Sequence, residues 1–121
     1  MAETGNSNRR KGKRYEELAA SYLQELGFKI LLRNFSSRFG EIDLIAKEGK
    51  YLVFVEVKYR ATDSGGHPLE AVDVRKQRRI IKTAEFYLLR YGYAEDTPCR
   101  FDVVGMIGED VFHVRNAFER N

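Results

Sequence analysis

At 121 residues, 43% of them hydrophobic, the chain is long enough for one domain with a modest core and too apolar to be a disordered polymer. No apolar run approaches the roughly 18 residues of a membrane span, and the single cysteine excludes an internal disulfide and a zinc cluster. A formal charge of +3, with pI about 9.0, permits a nucleic-acid partner without requiring one.

The opening MAETGNSNRRKGKR is polar and basic and lacks the apolar segment of a secretory signal. A reducing cytoplasm is therefore the expected compartment, with no membrane partner. Residues 1–11 read as a disordered basic tail and 12–121 as a single domain. A first helix is predicted from about Lys13 to Leu26. Tyr15, Leu18, Ala19, Tyr22, Leu23 and Leu26 form its apolar stripe, and Gly27 stops it. FKILLR (28–33), GEIDLIA (40–46) and YLVFVEVKYR (51–60) read as strands, the last two joined by a polar turn at 47–50. ATDSGGHP (61–68) has loop chemistry, and its Gly-Gly pair predicts a mobile segment.

A second helix is predicted from Asp73, an N-cap, to about Tyr91. Its expected inward stripe is Val74, Gln77, Ile81, Ala84, Leu88 and Tyr91. RFDVVGMI and VFHV complete the order α-β-β-β-α-β-β. A helical connection between the third and fourth strands suits a right-handed parallel crossover. The fold class is therefore α/β, with a mixed central sheet flanked by helices.

The third strand alternates Leu52, Phe54, Glu56 and Lys58 on one face with Tyr51, Val53, Val55 and Val57 on the other. Both faces are largely apolar, as in a strand covered on both sides. Glu56 and Lys58 continue a face that begins buried, and the hairpin turn brings Asp43 towards them. Two explanations are open. One is a cross-strand ion pair of Asp43 or Glu56 with Lys58, worth roughly 0–1 kcal/mol if exposed. The other is a bound divalent cation, which would balance an excess of acids over one lysine at the end of a doubly covered strand.

An acid, a hairpin turn and Glu-x-Lys form the PD-(D/E)xK nuclease pattern, here entered by Glu41-Ile42-Asp43 in place of Pro-Asp. Gly12, Glu16, Ala19, Tyr22-Leu23, Gly27, Asn34, GEIDLIA, FVEVKYR, Lys76-Gln77, Ala84, RFDVV and NAF (116–118) follow one another in order. Over about residues 12–118 this series strongly resembles the YraN family, small bacterial proteins grouped by fold with restriction endonucleases and Holliday-junction resolvases. The resemblance implies a restriction-endonuclease-like domain.

It also implies a metal-dependent endonuclease that hydrolyses phosphodiester bonds in structured or damaged DNA, leaving a 5′-phosphate. Asp43, Glu56 and the helix-borne Glu16 would ligate Mg²⁺ or Mn²⁺, with the main-chain carbonyl of Val57 as a further ligand. Lys58 would orient or deprotonate the attacking water, or stabilise charge on the phosphate. Resolving a branched junction needs two active sites, so a homodimer is implied. The alternatives are a DNA-binding or scaffold protein of nuclease fold with little activity, and a nuclease acting on RNA.

The remaining candidates each have two readings. Glu16 lies at the edge of the first helix's stripe and is a site acid or a boundary carboxylate. Glu41 is a site acid or the partner of an arginine. Gln77 interrupts the second helix's stripe; it either bonds the catalytic face or satisfies backbone groups. Arg75, Lys76, Arg78 and Arg79, in the run RKQRR, form a solvated face or, with Arg14 and Arg60, a phosphate-contact surface. Arg9, Arg10, Lys11 and Lys13 add positive charge. His67 and His113 lack partners at metal or triad spacing. Cys99 is expected to pack, Asp102 to pair with Arg100, and Tyr59 to be available to nucleic acid.

Overall fold

The computed structural model describes residues 3–62, 66–67 and 72–120, with side chains from residue 12 onward. Residues 63–65 and 68 of the predicted loop, and the side chains of Arg9, Arg10 and Lys11, lie outside the described residues.

The first helix, α1, spans Glu3–Glu25 and so starts well before Lys13. Apolar periodicity, the signal that marks a helix in sequence, begins only at Tyr15. The helix ends where Gly27 takes φ 98°. Phe28 N–H donates to the Leu23 carbonyl and Gly27 N–H to that of Gln24, both at 3.0 Å, satisfying the last open carbonyls.

Strands β1 (Lys29–Ser37), β2 (Gly40–Glu48) and β3 (Tyr51–Arg60) follow; after helix α2 (Val74–Arg90) come β4 (Cys99–Ile107) and β5 (Asp110–Phe118). The expected element order is thus found. The five strands form one sheet in chain order, β1-β2-β3-β4-β5. β3 and β4 are parallel and the other neighbours antiparallel, so the sheet is mixed.

The helices cover opposite faces. Ala19, Ala20 and Leu23 of α1 pack on Leu44, Ala46, Val53, Val55, Val104 and Met106. Ile80, Ala84, Tyr87 and Leu88 of α2 pack on Ile42, Ile45, Leu52, Phe54 and Phe101. The alternation of β3 therefore sorts its residues as the sequence indicates.

Both helices are turned slightly from their predicted faces. Leu18 and Leu26 are 47% and 46% exposed, and Ala20 is buried in their stead. Along α2, Val74 and Tyr91 are exposed, while Ile80, Thr83, Ala84, Tyr87 and Leu88 are buried. The small residues Ala19, Ala20, Thr83 and Ala84 let each helix approach the sheet closely. These rotations aim Glu16 and Lys76, one turn before Ala20 and Ile80, at the sheet.

Candidate active site

The β2–β3 ladder runs from Glu48↔Tyr51 to Leu44↔Val55 and stops there. β2 continues against β1 to Gly40, whereas β3 continues against β4 to Arg60. The two strands thus fork at the residues Asp43 and Glu56. Asp43 fills the fork, its Oδ2 accepting from the Val57 N–H at 2.8 Å. The alternation of β2 also breaks here. Ile42 joins the α2-side cluster with Ile45, although Leu44 between them packs on the α1 side.

Glu56 is 5% exposed and holds two ammonium groups on one oxygen. Lys58 Nζ lies 3.2 Å and Lys76 Nζ 2.7 Å from its Oε2. The acid excess seen in the hairpin is therefore partly offset by a second lysine, delivered by α2. Beside this cluster lies a cavity of about 270 Å³, lined by Gly40, Glu41, Asp43, Glu56, Lys76, Arg79 and Ile80. Gly40 takes φ 149°, a conformation that favours glycine; a Cβ there would make only ordinary contact with Thr83 Oγ1 at 3.6 Å and Arg79 Cβ at 3.7 Å on α2.

The electrostatics are those of crowded acids. Burial, and next the charge of Glu56, push the Asp43 carboxyl up to about 8, against a smaller lowering by the Val57 N–H. Both causes favour the protonated form of Asp43. Glu16 is raised by burial, while hydrogen bonding to Asn34 and Asp43 pulls the other way. Burial, and then the bond with Lys76, lower the Lys58 ammonium. Burial alone would lower Lys76 too, but its bonds to Glu56 and Lys58 outweigh that and raise it.

The structure brings together Asp43, Glu56, Lys58 and Glu16, with the Val57 backbone. Glu41 lines the same cavity, yet its bonding partner is the Ser36 hydroxyl at 3.4 Å rather than an arginine. Gln77 stands apart: its Nε2 donates to the Val72 carbonyl at 3.2 Å, and it lines a separate small cavity with Val103, Val114 and Phe118. Adjacent helical residues point about 100° apart, so Lys76 faces the acids and Gln77 does not. Arg75, Arg78 and Arg79 are exposed along α2, with Arg79 reaching the cavity rim. Arg14 and Arg60 are also exposed. Tyr59 stacks on Tyr15 with ring centroids 3.7 Å apart.

Asn34 and Lys76 stand in the motif series, but the bonding of Asn34 to Glu16 and the inward direction of Lys76 were not legible there. Asn34 adopts φ 58° opposite the fork, and Asn tolerates that conformation better than most residues. It lies within β1, between Arg33 and Phe35, which pair with Leu44 and Ile42 on either side of Asp43. His113, without a partner by spacing, is bonded at 2.8 Å to Asp102. Asp102 also pairs with Arg100 through two 2.9 Å bonds, as expected. Cys99 is half-buried, its thiol donating to the Thr97 carbonyl at 3.3 Å.

Among the described residues, no three acidic, histidine or cysteine side chains are set to hold a metal ion together, so Glu16 does not complete a three-acid ligand set with Asp43 and Glu56. Asp43 and Glu56 do supply hard carboxylate oxygens, and Mg²⁺ commonly takes only one or two carboxylates, with water completing its shell. The donor chemistry fits a hard divalent cation held on one side by protein.

The chain is thus an α/β protein whose mixed sheet forks around two acids and two lysines. A family model described as "Uncharacterised protein family UPF0102" matches residues 15–106. A UPF0102 protein of Lachnoclostridium phytofermentans is 54% identical over 86% of this chain and 88% of its own length. One from Persephonella marina is 45% identical over 90% and 93%, and one from Stutzerimonas stutzeri 43% identical over 98% and 99%. The chain belongs to the UPF0102, or YraN, family. No described helix is long and apolar enough to cross a membrane.

Proposed function

We propose that the protein is a divalent-metal-dependent endonuclease of restriction-endonuclease-like fold, acting on branched or damaged DNA as a homodimer. The observation that carries this reading is the pairing of Asp43 with Glu56 in the β2–β3 fork, beside two lysines and an open cavity. Two carboxylates set close enough to share a proton are a poor structural choice unless a cation replaces that proton. Mg²⁺ or Mn²⁺ held by Asp43, Glu56 and the Val57 carbonyl, with Glu16 behind Asp43, would supply positive charge to the phosphoryl oxygens.

The chain's own groups then have defined tasks. Lys58, with a lowered ammonium pKa, accepts a proton from the attacking water when it is neutral. The water oxygen bonds to phosphorus, the bridging P–O bond to the 3′ oxygen breaks, and that oxygen takes a proton from solvent. The exposed arginines of α2, with Arg14 and Arg60, contact the phosphate backbone. The free thiol of Cys99 suits a reducing cytoplasm.

A second reading has one observation in its favour. Lys58 and Lys76 already offset the charge of Glu56, as they would in a DNA-binding protein that no longer cuts. Purified protein offered four-way junctions, flaps, nicked duplex, single strands and RNA with Mg²⁺ or Mn²⁺ separates the two. The endonuclease reading expects metal-dependent cutting of branched DNA that Glu56→Ala abolishes. Binding without cutting establishes the second reading, and a Glu56→Ala protein that cuts as fast as wild type places the activity elsewhere.

A further inference from the structure

We propose that Lys76 is a catalytic residue of this site, and that its ammonium contacts the scissile phosphate during cleavage. The inference rests on the endonuclease reading and assigns a reaction-centre role to a side chain of the basic α2 segment. Lys76 differs from its basic neighbours in direction. The buried stripe of α2 runs through Ile80, Thr83, Ala84 and Tyr87. Lys76, four residues before Ile80, is the first position on that stripe, whereas Arg75 and Arg78 are exposed. The Asp73 side chain accepts the Lys76 N–H at 2.9 Å and so fixes the turn that carries it.

The geometry around Glu56 separates the two lysines. Both approach Oε2, Lys76 at 2.7 Å and Lys58 at 3.2 Å. Lys58 is the deeper, its side chain 20% exposed against 35% for Lys76. Only Lys76 of the two lines the cavity that opens beside Asp43 and Arg79. One carboxylate oxygen does not require two ammonium groups. Were Glu56 to hold a divalent cation, Lys76 would stand free on the cavity wall, where an incoming phosphodiester would lie. An ammonium is a compact charge on a flexible stem, suited to following a phosphate oxygen as its charge grows. The bonds that change are the water O–P bond, formed, and the bridging P–O bond, broken, while the water's proton goes to Lys58.

The test compares full-length wild type with Lys76→Met and Lys76→Arg. Mn²⁺ binding is measured by calorimetry without DNA, cutting of a four-way junction under single-turnover conditions, and folding by thermal melts. Lys76→Met removes a cation that competes for Glu56, so Mn²⁺ should bind roughly threefold to tenfold tighter. Its cutting rate should nonetheless fall roughly 100-fold, with junction affinity little changed. Lys76→Arg should recover part of the rate and serves as the folded control. Tighter Mn²⁺ binding with an unchanged cutting rate would overturn the role of Lys76 alone. Wild type that cuts nothing would overturn the endonuclease reading, and this role with it.

Discussion

Asp43 and Asp102 occupy matching places in the sheet and have opposite electrostatics. Each sits where a strand ladder is interrupted, Asp43 at the β2–β3 fork and Asp102 at the register shift between Phe101 and Val103. Each accepts one backbone N–H, from Val57 at 2.8 Å and from Asn116 at 3.0 Å. The remaining partners differ. Asp102 receives a two-pronged Arg100 and the His113 ring, and Arg100 passes on to Glu48, which also holds Arg115. Burial alone would raise the Asp102 carboxyl, but the bonds from His113, Arg100 and Asn116 outweigh it and hold it low. Asp43 instead meets Glu56 and Glu16, and its carboxyl rises to about 8. A buried acid ringed by donors is a structural joint; a buried acid facing other acids awaits a partner.

The most forceful way to break this contrast is to remove the joint. Asp102→Ala leaves Arg100 and His113, with side chains 13% and 5% exposed, short of their acceptor. The expected cost is about 3–5 kcal/mol in urea or thermal melts. A loss below about 1 kcal/mol would mean that Glu48 and water compensate, and that Asp102 is not the joint described.

Asp43 should behave in the opposite sense. Its folded carboxyl titrates near 8 against an ordinary 3.8, so the folded state keeps a proton that the unfolded state releases. For an acid shifted upward, stability declines as pH rises between those two values and levels off above the higher one. Wild type should therefore lose stability between about pH 4 and about pH 8, and Asp43→Asn should flatten that decline. At the upper pH the variant should be more stable than wild type by roughly 1–3 kcal/mol, while losing metal-dependent cutting. Equal pH slopes in urea melts of the two proteins would sink the assignment.

A smaller effect sharpens the role of Glu16. It is hydrogen-bonded to Asn34 and Asp43 and feels the charges of Glu41 and Glu56. Glu16→Gln should slow metal-dependent cutting about tenfold, in the range of residues that orient a ligand, with little change in melting. Unchanged rates would remove α1 from the site.

The fork was legible in sequence because its signal is local. Alternation along β3 placed Glu56 and Lys58 on the face of Leu52 and Phe54, and the short turn brought Asp43 back beside them. The element order followed from similar patterns. What could not be read is which way each helix turns. Leu18, expected inward but exposed, and Lys76 against Gln77 are decided by packing of Ala19, Ala20, Thr83 and Ala84 on the sheet, and one position of rotation exchanges an inward residue for an outward one. The His113–Asp102 bond was hidden for a related reason. It depends on a bulge opposite Asp102, where Asn116 takes φ 53°, and no periodicity encodes a bulge.

The same contrast separates the cations. Arg100 and Arg115 are committed to Glu48 and Asp102, and Arg33 to Glu17 at 2.6 Å. Among the described residues, Arg75, Arg78, Arg79 and Lys82 have no acidic side chain in ion-pair contact. On the proposed reading these are the charges that displace counterions from DNA. Binding to a duplex should weaken linearly in log–log form as salt rises, by about 0.9 in slope for each phosphate neutralised. Arg78→Ala and Arg79→Ala should each reduce that slope by about 1, whereas Arg115→Ala, already paired to Glu48, should leave it in place. A slope insensitive to the α2 arginines but lowered by Arg115→Ala would move the DNA to the Asp102 side of the sheet, away from the fork.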